Sequence, residues 1–173
     1  PYLAAELPTV ENGGWVIHPD GRMETTYRLR TNATWQDGQP ITAHDFVYSM
    51  RRGMAPEFAS RNAGYGYYIL YAEAFNHLGA FVRDPQTGRF LLAKDVPAAD
   101  GSGPAQDIPE GLTDTLRVTV AGDEKGREKA FKADPQLQAL AAGKEFVPVR
   151  AEDIGVEGLD DHTVRITLSQ SAP

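Results

Sequence analysis

The sequence predicts an α+β fold: an antiparallel sheet with helices on one face. Three observations carry that expectation. Residues 22 to 30 alternate, with Met23, Thr25, Tyr27 and Leu29 on one side and Glu24, Thr26, Arg28 and Arg30 on the other. Residues 163 to 168 do the same, with Val164, Ile166 and Leu168 against Thr163, Arg165 and Thr167. A period of two marks half-buried strands. Between them, Ala43, Phe46, Val47, Met50 and Met54 recur at helical spacing. The simplest layer arrangement pairs the two distant strands and lays the helix across them.

The chain has 173 residues, enough for one domain, or one domain with a large insertion, to bury a core without metals or disulfides. Hydrophobic residues make up 41% and charged residues 24%, an ordinary globular balance. The net charge is -7 and the pI about 5.0. Such a chain lacks the overall basic charge that nucleic-acid binding uses, so no nucleic-acid partner is expected. Mean hydropathy is -0.41, and the apolar runs are too short to span a bilayer. With no cysteine there is no disulfide framework, thiol nucleophile or thiolate metal site. The chain begins at Pro1 and stops at Pro173 just after a strand pattern. Both ends read as cut, so the expectation is a piece of a longer protein.

In chain order, Pro1 to Val10 reads as an extended approach. Trp15-Val16-Ile17, a turn at His18-Pro19-Asp20-Gly21 and the Arg22–Arg30 strand make a candidate hairpin. On that strand Arg28 and Arg30 belong to a solvated face. Trp35-Gln36-Asp37-Gly38 is a turn. Thr42 with Asp45 fits a capping pattern, Arg51 and Arg52 complement the negative helix end, and Gly53 with Pro56 ends the element. Tyr65, Tyr67, Tyr68 and Tyr71 open a second helical pattern with Ile69, Leu70, Phe75 and Leu78. Most of these tyrosines should be core or half-buried, with one or two free to face a ligand.

From Phe81 the character changes. Phe81-Val82, a turn at Asp84–Gly88 and Phe90-Leu91-Leu92 suggest a small hairpin. Pro97 to Gly111 reads as a mobile loop. Leu116, Val118 and Val120 mark a short strand, Lys125 to Lys132 a charged helix, and Gln136 to Ala142 another helix ended by Gly143. Residues 81 to 150 are therefore expected to be an insertion in a simpler unit. Ile154-Gly155-Val156, a turn at Asp160-Asp161-His162 and Thr163–Leu168 form a closing hairpin.

Catalytic and metal patterns are sparse. His18, His44, His77 and His162 are scattered, without an HExxH pattern. There is no G-x-S-x-G nucleophile elbow, and Gly101-Ser102-Gly103-Pro104 lacks the lysine and helix of a phosphate loop. Asp123, Glu124 and Lys125 form the dense charged constellation a hydrolase site would need, but they sit in solvated sequence. The expectation is a non-enzyme without metal or cofactor.

The stretch Tyr27-Arg28-Leu29-Arg30, Trp35, Asp37-Gly38, Pro40, Thr42-Ala43 and Asp45-Phe46-Val47-Tyr48-Ser49 resembles the hallmark of family 5 extracellular solute-binding proteins. These are the oligopeptide-, dipeptide- and nickel-binding components of bacterial ABC importers. IGVEGLDDHTVRITLSQSAP at the C-terminal end is similar to the segment that closes the same subdomain, and Leu3-Ala4-Ala5-Glu6 to its approach segment. Residues 81 to 150 depart from the family's shorter connection. The resemblance implies a two-lobed fold of the periplasmic-binding-protein type II class, with residues 1 to 173 as one subdomain of the first lobe. It implies a peptide or similar solute as ligand, an ABC transporter permease as partner, a monomeric state, and a periplasmic or extracellular location, with any lipid anchor on a segment before Pro1. It places the tyrosine-rich segment where some members offer an aromatic to the ligand, which makes Tyr65, Tyr67 and Tyr68 the candidate ligand contacts. Trp35, Asp37, Gly38 and Thr42 are then scaffold. The alternative is a stand-alone protein-interaction module using exposed sheet edges or the 81–150 segment.

Overall fold

The structure, a computed structural model, describes residues 3–19, 22–97 and 114–169. Pro1, Tyr2, the tip of the expected His18–Gly21 turn, all of the Pro97–Gly111 loop beyond Pro97, and the residues after Ser169 lie outside that description. Two antiparallel sheets are present, each with its own core. The first has four strands: β1 (Trp15–Ile17), β2 (Met23–Arg28), β6 (Val156–Asp160) and β7 (Thr163–Leu168), in the order β1-β2-β7-β6. The expected long-range pairing forms, with Tyr27 opposite Val164 and Thr25 opposite Ile166. That register puts every apolar position of both strands on one face.

Helix α1 (Ala43–Met54) covers that face. Its entry is organised by Trp35–Gly38, where Gly38 adopts φ 86°, a conformation that favours glycine. The Trp35 N–H donates to the Gln39 carbonyl at 2.8 Å, and Asp37 Oδ1 accepts from the Gln39 N–H at 3.0 Å. Thr42 is the extended N-cap residue. Asp45 Oδ2 accepts from the Thr42 N–H at 2.7 Å and from its hydroxyl at 3.2 Å. The Thr42 backbone bond is the main reason the Asp45 carboxyl is held below its ordinary pKa. Ala43 and Val47 are buried with Leu29, Ile154, Val156, Val164 and Ile166, while Phe46, Met50 and Met54 pack at the margin. The opposite face of the sheet is charged. Arg165 Nε donates to Glu157 at 2.7 Å across β6 and β7, and Arg28 pairs with Glu6 at 2.7 Å.

The second sheet consists of β3 (Gly79–Arg83), β4 (Thr119–Ala121) and β5 (Glu145–Pro148), in the order β4-β3-β5. Val82, Val120 and Ala141 form its core with Phe131, Leu137 and Phe146. The last three of these lie on α3 (Glu124–Ala133), α4 (Pro135–Ala141) and β5. Both helices are capped by aspartates: Asp123 accepts from the Gly126 N–H at 2.8 Å, and Asp134 from the Leu137 N–H at 2.9 Å. Asp123, singled out as part of a charged constellation, is thus a helix cap. The Phe81–Leu92 hairpin also forms, through a bridge between Arg83 and Phe90 and a turn over Asp84–Gly88.

The second helical pattern is corrected. Only Ala72–Asn76 form a helix, α2. Residues Ala63–Gly66 make a 3₁₀ turn, and Tyr71 and Leu78 take positive φ, 59° and 54°. Leu78, counted as an apolar helix member, is 70% exposed. Tyr71 cannot continue a helix in that conformation, so the tyrosine segment approaches α2 as a run of turns with a single bridge at Ile69.

Asp84 ties the hairpin turn to the loop after α4. Its carboxylate pairs with Lys144 and accepts from the Gln86 and Thr87 N–H groups, both at 2.9 Å. The Lys144 bond, then these backbone bonds, hold its carboxyl far below the ordinary aspartate value. A depressed folded-state pKa adds stability above the unfolded value, and that stability is lost as the pH falls through the folded one. The melting temperature is therefore expected to drop on acidification below about pH 4. Asp84→Asn should lower it at neutral pH and make the acid decline shallower. An unchanged acid limb, measured by thermal melts across pH, removes this pair from the account.

Candidate functional site: a tyrosine ledge at the seam of the two sheets

The segment from Gly66 to Tyr71 runs across the end of β7 and joins the first sheet to the second. Three backbone contacts hold it. Tyr68 O accepts from the Ser169 N–H at 2.8 Å, the Leu70 N–H donates to Thr167 O at 2.9 Å, and the Gly155 N–H donates to Leu70 O at 2.9 Å. Ile69 bridges Leu168 in antiparallel sense. Residues 68 to 70 thus occupy the place beside β7 that β6, starting at Val156, leaves open. Gly155 makes this possible: a Cβ there would lie 2.6 Å from Thr167 O and 2.8 Å from Leu70 Cβ.

The three candidate tyrosines fall into different environments. Tyr65 sits on the 3₁₀ turn and is 86% exposed, and Tyr68 is 42% exposed. No hydrogen bond holds either hydroxyl among the described residues, so both rings present a flat face and a polar tip. Tyr67 is half-buried. Its hydroxyl donates to Asn76 Oδ1 at 2.6 Å and lies 3.1 Å from His77 Nε2, and its ring meets the His77 ring edge-on at 5.4 Å. Asn76 Nδ2 in turn donates to Met54 O at 2.9 Å. Asn76 therefore latches the end of α1 to the end of α2, and Tyr67 holds Asn76. With its hydroxyl proton given to Asn76, the set is complete when His77 Nε2 carries a proton and donates to the Tyr67 oxygen.

Behind the ledge lies a small cleft of about 170 Å³ bounded by Tyr67, Tyr71, Glu73, Leu116, Arg117 and Ser169. The Tyr71 hydroxyl accepts from the Arg117 N–H at 2.9 Å, and burial pushes its pKa up. The Arg117 guanidinium lies 4.4 Å from the Phe90 ring centre and 5.2 Å from that of Phe81, and 3.7 Å from Asp153. Its charge is thus engaged by the two phenylalanine rings and by Asp153. Arg117 has no sequence sign that it neighbours the tyrosines, since 46 positions separate it from Tyr71 and no local pattern links them.

Ser169 Oγ donates to Tyr68 O at 3.1 Å. Among the described residues no group of three His, Asp or Glu is placed to hold a metal ion. His18 lies 3.2 Å from Glu24 and His44 3.8 Å from Asp161.

Comparison with known proteins adds a family context. The family model described as bacterial extracellular solute-binding proteins, family 5 Middle, matches residues 12–173. The periplasmic oligopeptide-binding protein OppA of Salmonella typhimurium is 40% identical over 42% of this chain and 15% of its own length. OppA of Escherichia coli is 51% identical over the same shares. The dipeptide-binding protein DppE of Bacillus subtilis is 37% identical over 36% of this chain and 11% of its own length. The matched region thus spans about 15% of the length of the OppA relatives. Among solved structures, that of the pheromone receptor PrgZ superposes with a TM-score of 0.50 at 16% identity, covering 100% of this chain and 19% of that one. This last likeness is one of fold.

Proposed function

The chain belongs to the bacterial extracellular solute-binding proteins of family 5, and from that membership we propose that it forms one subdomain of the first lobe of an ABC importer's solute receptor. It serves binding, not catalysis. The solute is a peptide or a similar small molecule held between two lobes, and the partner is the importer's permease. The receptor works as a monomer in the periplasm or outside the cell. Tyr65 and Tyr68 contribute flat aromatic surface to the solute side, while Tyr67 keeps the ledge in place. Residues 81 to 150, most of the second sheet and its helices, are an elaboration on the simpler unit formed by the first sheet and α1.

The observation that carries this proposal is the family match from residue 12 to residue 173, which runs through both sheets and the tyrosine segment. The names of the OppA and DppE relatives support a peptide as solute. The ledge agrees in kind: tyrosine joins a large rigid apolar face to a hydrogen-bonding tip.

The test is calorimetric titration of an oligopeptide mixture into the longer protein that carries this chain, and into the chain alone. The longer protein is expected to bind at a Kd of about 1 μM or tighter and to release the peptides intact. The chain alone is expected to show no binding in that affinity range. Cleavage of the peptides, or tight stoichiometric binding by the chain alone, overturns the proposal.

A further inference from the structure

A second concavity lies away from the tyrosine ledge, on the outer side of α1. It is a groove of about 700 Å³ between α1, the turn Pro56–Phe58 and the turn Ala151–Asp153. Val47, Ala55 and Phe75 supply apolar lining, the first two of them buried. Tyr48 and Phe58 also line it and stay 64% and 51% exposed. The volume falls within the range of small-molecule sites.

Four charged side chains line the same groove. Arg51 and Arg52 come from α1, Glu57 and Glu152 from the two turns. None of the four has an oppositely charged partner within 4.0 Å among the described residues. Arg51 donates Nη2 to Val156 O at 3.3 Å and keeps a buried Nε without an acceptor. The Arg52 guanidinium lies 4.9 Å from the Phe58 ring centre. The protein thus brings two guanidinium groups and two carboxylates to one apolar depression and leaves all four unneutralised. Tyr48, Arg51 and Arg52 of α1 line this surface, while α1 reaches the core through Ala43 and Val47.

We propose that this groove binds a small zwitterionic molecule with an apolar side chain, such as a free amino acid or a dipeptide. Its carboxylate meets Arg51 and Arg52, whose planar donors suit a carboxylate. Its ammonium meets Glu57 and Glu152, and its side chain lies on Phe58 and Phe75. A polyanion is disfavoured by the two carboxylates, and an uncharged apolar molecule would strip water from four charges without replacing it. The site is separate from the ledge and does not depend on the transport role.

The experiment is an amide NMR titration of the ¹⁵N-labelled chain with leucyl-phenylalanine, its N-acetyl form and its C-terminal amide. Saturable shifts are expected in residues 44–58 and 151–152, and capping either end should weaken binding by about tenfold or more. Arg52→Gln and Glu152→Gln are both at exposed positions. Each should weaken the free dipeptide at least about threefold while leaving the rest of the spectrum in place. Four results overturn the proposal: no saturable shift there up to about 10 mM, equal binding of the capped forms, shifts confined to residues 65–71, or no effect of either substitution.

Discussion

Phe81→Ala is expected to destabilise the protein by about 3–5 kcal/mol, lowering the melting temperature by roughly 6–20 °C for a chain of this length. Phe81 is 1% exposed at the centre of β3. Its ring meets Tyr71 edge-on at 5.0 Å and Phe90 at 5.5 Å, and Arg117 lies over its face at 5.2 Å. Truncation leaves a cavity and also removes one of the two rings that hold the Arg117 charge. The loss should therefore reach beyond the second sheet, because the Arg117 N–H also holds the Tyr71 hydroxyl. Phe81→Leu, which keeps much of the volume, should cost clearly less. Denaturant unfolding measures both, and a loss below about 1 kcal/mol for alanine would refute the central place given to this ring.

Gly155→Ala is expected to cost about 1–3 kcal/mol, the range for forcing atoms into a packed site. The new Cβ would meet Thr167 O at 2.6 Å and Leu70 Cβ at 2.8 Å. Thr167 O is backbone of β7 and cannot swing aside, so residues 68–70 must give way. The bonds from Leu70 N to Thr167 O and from Gly155 N to Leu70 O are the first to lengthen, and hydrogen exchange at those two amides should speed up more than in β2 or α1. Gly53→Ala is the contrasting case. Nothing lies within 4 Å of its added Cβ and it sits in α1, so it should stabilise by up to about 1 kcal/mol. Equal effects of the two substitutions would mean that the close approach at Gly155 does not constrain the ledge.

Much of the first sheet was legible in the sequence because each of its parts carries a local sign. Met23 to Leu29 and Thr163 to Leu168 alternate, Thr42 and Asp45 announce the start of α1, and Gly38 marks the turn before it. β5 was not read. Glu145–Pro148 is four residues long, ends in proline and shows no clean alternation. Its place at the edge of the second sheet is what tolerates Pro148. The apolar residues of the tyrosine segment have helical spacing, whereas long-range pairing with Thr167 and Ser169 sets its actual course. The same limit applies to the α1 groove. Arg51 and Arg52 are plain on the helix, but Glu152 joins them only through the fold. For the candidate ligand contacts, the residue type was readable and the environment was not: nothing local separates Tyr67, bonded to Asn76, from Tyr65 and Tyr68, which stand free.

That separation leads to the most direct measurement: calorimetric peptide affinity of the longer protein with Tyr65→Ala, Tyr68→Ala and Tyr67→Phe, alongside their melting temperatures. An aromatic contact contributes about 0.5–1.5 kcal/mol beyond its area, so each of the first two should weaken binding roughly twofold to tenfold with little change in melting. Tyr67→Phe should lower the melting temperature, through loss of the bond to Asn76, and leave affinity unchanged. Unaltered affinity in both exposed variants, or a loss of affinity confined to Tyr67→Phe, would contradict the ledge as the solute-facing part of this chain.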